Sequence, residues 1–138
     1  MSRRSAEGPL THAEYRVLGR FRVALRIFLR FSADAATAAG ITPNQHQLLL
    51  AIRASDAAPS IGDMAYALQL RHHSTVELVD RAVEAGLVAR ETDVDDRRRQ
   101  RLSLTREGER ILGSLSATHR EELRRFREEM AEVLRELG

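Results

Sequence analysis

A chain of 138 residues suits one compact domain, and 43% hydrophobic but only 4% aromatic content directs it toward aliphatic packing, which helices use better than sheets. The net charge is +2 and all 22 basic residues are arginine, with an isoelectric point near 9.9; the arginine fork matches phosphate and guanine edges, but a GC-rich genome produces the same bias, so the argument rests on where the arginines sit. The absence of cysteine excludes disulfides, thiolate metal sites and thiol redox sensing, and with no apolar run near the roughly 18 residues of a membrane span and no apolar core in MSRRSAEGPL, a cytoplasmic protein away from the membrane is expected.

Residues 11–39 carry Tyr15, Leu18, Val23, Leu25, Ile27, Phe28, Leu29 and Phe31 at helical spacing, which predicts a long first helix ending by Gly40. Arg16, Arg20, Arg22, Arg26 and Arg30 run through it and read as a solvated face. Thr42 is placed as an N-cap with Pro43 at the first helical position, so a second helix is expected from Pro43 to about Ser55. DAAPS breaks the pattern, and SIGD reads as a capping-box variant in which Ser60 caps and Asp63 answers, opening a short helix from Ile61 to about Leu68. Leu78, Val79, Ala82, Val83 and Leu87 then mark a fourth helix from about His72 to Ala85, with Gly86 where a left-handed cap is wanted. Its outward N-terminal face carries His73, Ser74 and Glu77, with Arg71 and His72 at the entry.

Beyond Gly86 the period becomes two. Leu87, Ala89 and Glu91 alternate with Val88, Arg90 and Thr92, and later Arg101 and Ser103 alternate with Leu102 and Leu104, which predicts a β-hairpin with a charged loop of about ten residues. A helical pattern restarts at the N-cap Thr105 and runs through Leu115, Leu123, Phe126, Met130, Val133 and Leu137; this segment is too long for so small a domain to bury unaided. The fold class is therefore mainly α with a small β-hairpin wing. A winged helix-turn-helix core spans about residues 42–104, flanked by helices over about 11–39 and 105–138 within a single domain covering 1–138.

In such a core the second helix of the helix-turn-helix faces the major groove and the hairpin reaches neighbouring backbone or minor groove. The loop arginines Arg97, Arg98 and Arg99 are the candidate wing contacts, with Arg97 inserted in the minor groove and the other two beside phosphates. Asp95 or Asp96 is expected to orient Arg97 through a bidentate contact. A solvated hairpin with weak internal ion pairs is the competing reading.

From residue 15 to 137 the chain resembles the MarR family of bacterial transcriptional regulators. The resemblance rests on Leu78-Val79-Asp80-Arg81, Gly86-Leu87-Val88, Asp95-Asp96-Arg97-Arg98 and Leu104-Thr105 with Gly108, in that order and spacing. It implies an obligate homodimer in which the first helix and the last two helices pair with those of the partner. It also implies binding to a palindromic double-stranded operator, with the two recognition helices about one DNA turn, roughly 34 Å, apart. Such regulators are mostly repressors released by a small aromatic or phenolic ligand. The family's DNA contacts fall on Arg71, His72, His73, Ser74 and Val76, on Ser60 at the third helix, and on Arg97. Glu77 departs from the basic or neutral residue usual at its place, and a carboxylate there weakens docking unless it pairs with Arg71 or Arg81 or accepts from a cytosine amino group.

His72 and His73 point about 100° apart on a helix and do not share a metal ion unaided, so no metal and no other cofactor is expected. His46 lies near the expected ligand cleft, where it would hold a carboxylate or phenol; the plainer reading is a hydrogen-bonded helix histidine. No nucleophile with a base, no carboxylate cluster and no glycine-rich phosphate loop has supporting context, so an enzyme is not expected. The alternative function is a winged-helix dimer that serves as a protein-interaction module without DNA binding.

Overall fold

The computed structural model describes residues 8–137. In chain order these form α1 (His12–Ala38), α2 (Pro43–Ala54), α3 (Ile61–Leu68), α4 (His72–Glu84), β1 (Val88–Thr92), β2 (Gln100–Leu104) and α5 (Arg106–Glu136). The expected elements are all present, with ends within a residue or so of their predicted positions. One expectation is corrected. Where the resemblance implies two helices after the hairpin, α5 is one unbroken helix of 31 residues, about 46 Å long at 1.5 Å per residue. Proline is absent between 106 and 136, and the pairs Arg110–Glu107, Arg124–Glu121 and Arg125–Glu122 at i, i+3 support continuity.

The caps form as their side chains dictate. Thr42 accepts from the Gln45 N–H at 3.1 Å while the Gln45 carbonyl oxygen accepts from the Thr42 N–H at 3.0 Å, a reciprocal box that satisfies two otherwise orphaned donors. Thr11 and Glu14 do the same at the start of α1, at 3.2 Å each way. Gly40 and Gly86 take φ values of 85° and 75°, the left-handed region where a Cβ is penalised.

The chain divides into two compact units, residues 32–118 and the combination of 8–31 with 119–137. In the larger unit, Leu48, Leu49 and Ile52 of α2, Met64 of α3, Val79 and Ala82 of α4, Val88 and Leu102 of the hairpin, and Ile111, Leu112 and Leu115 of α5 form one buried aliphatic cluster. The strands are antiparallel, with Val88 opposite Leu104 and Thr92 opposite Gln100. Alternation puts Val88 and Leu102 inward and leaves Glu91, Thr92 and Gln100 in solvent.

The start of α5 is fixed to this core by a close approach. The Thr105 hydroxyl donates to the Gly86 carbonyl at 2.6 Å and accepts from the Gly108 N–H at 3.0 Å, while the Thr105 N–H donates to Leu87 O at 3.1 Å. A Cβ on Gly108 would stand 2.2 Å from Leu87 O, so only glycine lets the helix come this near the strand.

In the smaller unit, Phe28 packs on Phe126 with ring centroids 5.2 Å apart, and His119 meets Phe31 edge-on at 5.3 Å. Val17 and Val133 are buried. Arg20 of the arginine series expected to be solvated is instead paired with Glu136 at 2.5 Å and Glu132 at 3.7 Å; Glu136, by hydrogen bond and charge, raises its pKa. Leu18, Val23, Ile27 and Leu29 of α1 and Leu123 and Leu134 of α5 remain exposed.

Candidate nucleic-acid interface

Three parts of the larger unit carry the site: the start of α3, the outward face of α4 and the hairpin tip. Ser60 adopts extended backbone and caps α3, its hydroxyl accepting from the Asp63 N–H at 3.1 Å and its N–H donating to Asp63 Oδ2 at 2.9 Å. The Ser60 N–H and hydroxyl, with Arg99 and Arg101 farther away, hold the Asp63 carboxyl below the usual carboxylate range. Ser60 is therefore buried and engaged rather than presented freely.

A tight turn over residues 69–71 leads into α4. Gln69 takes φ 54°, ψ 45°, an unusual place for a residue with a Cβ, and its Nε2 donates to Tyr66 O at 2.7 Å. No side chain caps α4, so the first-turn N–H groups of the helix point outward with the positive end of its dipole. Arg71, His72, His73 and Glu77 are exposed, Ser74 and Val76 half-buried. Thr75 is fully buried, its hydroxyl donating to Arg71 O at 2.9 Å, which turns its neighbours His73, Ser74 and Val76 toward the outside. Neither Arg71 nor Arg81 pairs with Glu77 among the described residues. Asp80 instead receives Arg90 of β1 at 2.5 Å and ties α4 to the wing.

At the hairpin tip the carboxylates act differently from expectation. Asp93 Oδ1 accepts from the Asp95 N–H at 2.9 Å, and Asp93 Oδ2 from Arg101 Nε at 2.9 Å; the Arg101 guanidinium also donates to Ala58 O at 3.1 Å. The Asp95 N–H and then Arg101 hold the Asp93 carboxyl below its ordinary value. Asp96 Oδ1 accepts both the N–H and Nε of Arg98, at 3.0 and 3.3 Å. The expected Asp95 or Asp96 contact to Arg97 is thus replaced by one from Asp96 to Arg98, because an aspartate closes most readily on the residue two positions on. Arg97, between them, is exposed and has no ion-pair partner among the described residues. The loop is also shorter than expected, residues 93–99, because the Asp93 N–H donates to Arg99 O at 2.9 Å and extends the pairing.

These parts converge. Ser60, Ile61 and Gly62 of the α3 start, His72, and Thr92 with Arg97, Arg98, Arg99 and Gln100 of the wing line one cleft of about 380 Å³. Three guanidinium-bearing residues and a helix N-terminus around one opening are suited to an anion such as phosphate. Arg71, His73, Ser74 and Val76 do not line the cleft but stand on the adjoining helix. His46 is elsewhere in the unit, buried, with Nδ1 3.5 Å from Ser32 Oγ, in the manner of a hydrogen-bonded helix histidine. Among the described residues no group of three or more His, Cys, Asp or Glu could hold a metal ion, and no helix is long and apolar enough to cross a membrane.

Residues 39–99, which hold the second to fourth helices and most of the hairpin, match the MarR family model. Over that stretch this chain is similar to MarR-family proteins. It is 32% identical over 88 residues, 64% of its own length, to a putative transcriptional regulatory protein for the hcr operon of Thauera aromatica. The chain spans about half the length, 52%, of that curated relative. Among solved structures it resembles AbsC, a MarR family transcriptional regulator from Streptomyces coelicolor, with a TM-score of 0.77 and 23% identity over 94% of this chain and 90% of that one. It also resembles CouR from Rhodococcus jostii, solved bound to p-coumaroyl-CoA, with a TM-score of 0.65 and 25% identity over 74% of this chain and 71% of that one. The AbsC likeness establishes the winged-helix fold.

Sequence reasoning missed two features of the site: the Asp80–Arg90 tie and the Arg101 anchor to Asp93 and Ala58. Both link residues on different elements, so no local spacing reveals them. The signal for the first was faint: Arg90 falls on the same strand face as the buried Val88 but is itself exposed, so its position alone names no partner.

Proposed function

We propose that this chain is a homodimeric, sequence-specific DNA-binding regulator of transcription, a repressor released by a small aromatic or phenolic ligand. The observation that carries the reading is the convergence of Ser60, His72 and the wing arginines on one cleft beside the exposed N-terminal half of α4. In this reading α4 enters the major groove, with His73, Ser74 and Val76 at base edges and Arg71 and His72 at its rim. Ser60 and the uncapped α4 N-terminus meet phosphates. Arg98, held by Asp96, and Arg99 flank the backbone, and Arg97 enters the minor groove, where negative potential is concentrated. The chain needs no catalytic group for this work and acts in the cytoplasm, where its DNA lies.

The exposed apolar side chains of α1 and α5 in the smaller unit support a two-fold dimer, since a soluble chain rarely leaves so many aliphatic groups in water. Two-fold symmetry pairs the recognition helices with a palindrome whose half-sites lie about one turn apart. Release by a ligand requires only that the ligand bind better to a dimer whose helices are wrongly spaced. The p-coumaroyl-CoA bound to CouR supports the aromatic class.

Hydroxyl-radical footprinting on the DNA flanking the chain's own gene tests the reading. Two protected patches on one face, about one helical turn apart, are expected. Uniform cleavage at every concentration would refute it and move weight to a protein-interaction module.

A further inference from the structure

Glu77 is out of character with its surroundings. It lies one helical turn after His73 and three residues after Ser74, so all three share one stripe of α4. It is exposed and has no ion-pair or hydrogen-bond partner among the described residues. Arg81 follows it at the i, i+4 spacing that favours a Glu–Arg pair, yet does not reach it, and Arg71 does not reach it either. The carboxylate one turn along the tie to the wing, Asp80, is already occupied by Arg90. A bare carboxylate on a helix that approaches DNA is repelled by each nearby phosphate, so it lowers affinity for every sequence unless a donor on the DNA meets it.

A carboxylate only accepts hydrogen bonds. In the major groove guanine offers the acceptors N7 and O6 and thymine the acceptor O4; adenine sets its N6 amino donor beside the N7 acceptor, which repels a carboxylate, whereas cytosine offers the N4 amino donor with no neighbouring ring acceptor. We infer that Glu77 reads cytosine, its carboxylate accepting from the N4 amino group of one base in each half-site and rejecting base edges that present only acceptors. The inference rests on the DNA-binding reading and adds to it a selectivity residue of unusual sign. The arginines supply affinity for any duplex, and Glu77 lowers that affinity wherever the cytosine is missing.

The test is selection from a random duplex library by the wild-type chain, Glu77→Ala and Glu77→Gln, followed by anisotropy titration of single-base variants of the selected site. The wild type is expected to enrich a palindrome with a symmetric cytosine whose replacement weakens binding about 5- to 150-fold. Glu77→Ala should flatten the preference at that position alone and bind random DNA more tightly than the wild type. Glu77→Gln should shift the preference toward adenine, which a carboxamide meets through both N6 and N7. Both changes lie on an exposed helix face and should leave thermal melting unchanged. A palindrome enriched identically by the wild type and Glu77→Ala would overturn the inference while leaving the DNA reading intact. Failure of the wild type to enrich any sequence would overturn both.

Discussion

Replacing Gly108 with alanine sets two opposed effects against each other. In an exposed helix the change stabilises by about 1 kcal/mol, because alanine loses less backbone freedom on folding. At this position the new Cβ would meet Leu87 O at 2.2 Å, and the obstacle is backbone rather than a side chain that could rotate away. Relieving it requires α5 to withdraw from the start of β1 by about an ångström, which strains the Thr105 contacts to Gly86 and Leu87. Overpacking of this kind costs typically 1–3 kcal/mol, sometimes more, and a rigid obstacle places it at the upper end. Gly108→Ala should therefore destabilise by about 2 kcal/mol net. Gly113 in the same helix has open space around the Cβ position, so Gly113→Ala should stabilise by about 0.5–1 kcal/mol. Urea denaturation at one fixed protein concentration, followed by far-ultraviolet circular dichroism, compares the two. A Gly108→Ala variant as stable as Gly113→Ala would refute the close approach that seats the start of β1 on α5.

Four further outcomes follow from the site. Arg97→Ala should weaken binding to all duplexes alike and reduce the salt slope by about 1, with stability unchanged within about 0.5 kcal/mol because Arg97 has no ion-pair partner among the described residues; unchanged affinity would remove it from the interface. His73→Ala and Ser74→Ala should alter which sequences are preferred, as read by competition between operator variants, and equal losses on specific and random DNA would count against base reading. Asp93 has its pKa lowered in the folded chain, so its contribution is present above the unfolded carboxylate value of about 3.9 and is lost as pH falls through the lower folded value. Asp93→Asn should therefore remove part of the acid sensitivity, measured as urea stability between about pH 2 and pH 5; identical pH profiles would contradict the Asp95 and Arg101 contacts. Val23→Asp and Ile27→Asp place charges on the exposed apolar stripe of α1 and should shift sedimentation from dimer to monomer, whereas an undisturbed dimer would locate the interface elsewhere.

Much of this architecture was legible because its determinants are local. Thr42 with Gln45, Ser60 with Asp63, and the glycines at 40 and 86 announce helix ends through contacts within three residues. The shift from Leu78, Val79 and Ala82 spacing to Val88 and Arg90 alternation marks where helix gives way to strand. Less legible was the allocation of charge at the wing. Five arginines and four carboxylates lie within residues 90–101, and composition alone admits many pairings. The backbone decides among them: the turn closed by the Asp93 N–H and Arg99 O puts Asp96 under the Arg98 N–H and leaves Arg97 outside. Arg101 reaches Asp93 and Ala58, separated from it by 8 and 43 positions, and only the folded hairpin brings the more distant of these near. Arg20 likewise looked solvated because its partners Glu132 and Glu136 stand more than a hundred residues away.

Fluorescence-anisotropy titration of the chain against its own upstream intergenic DNA, with random DNA of equal length as control and a series of salt concentrations, tests the central claim most directly. The expected result is tight binding to the upstream DNA, weaker binding to the control, and a log–log salt slope of about −0.9 for each phosphate neutralised. Binding that is weak, equal on both duplexes and insensitive to salt would contradict it.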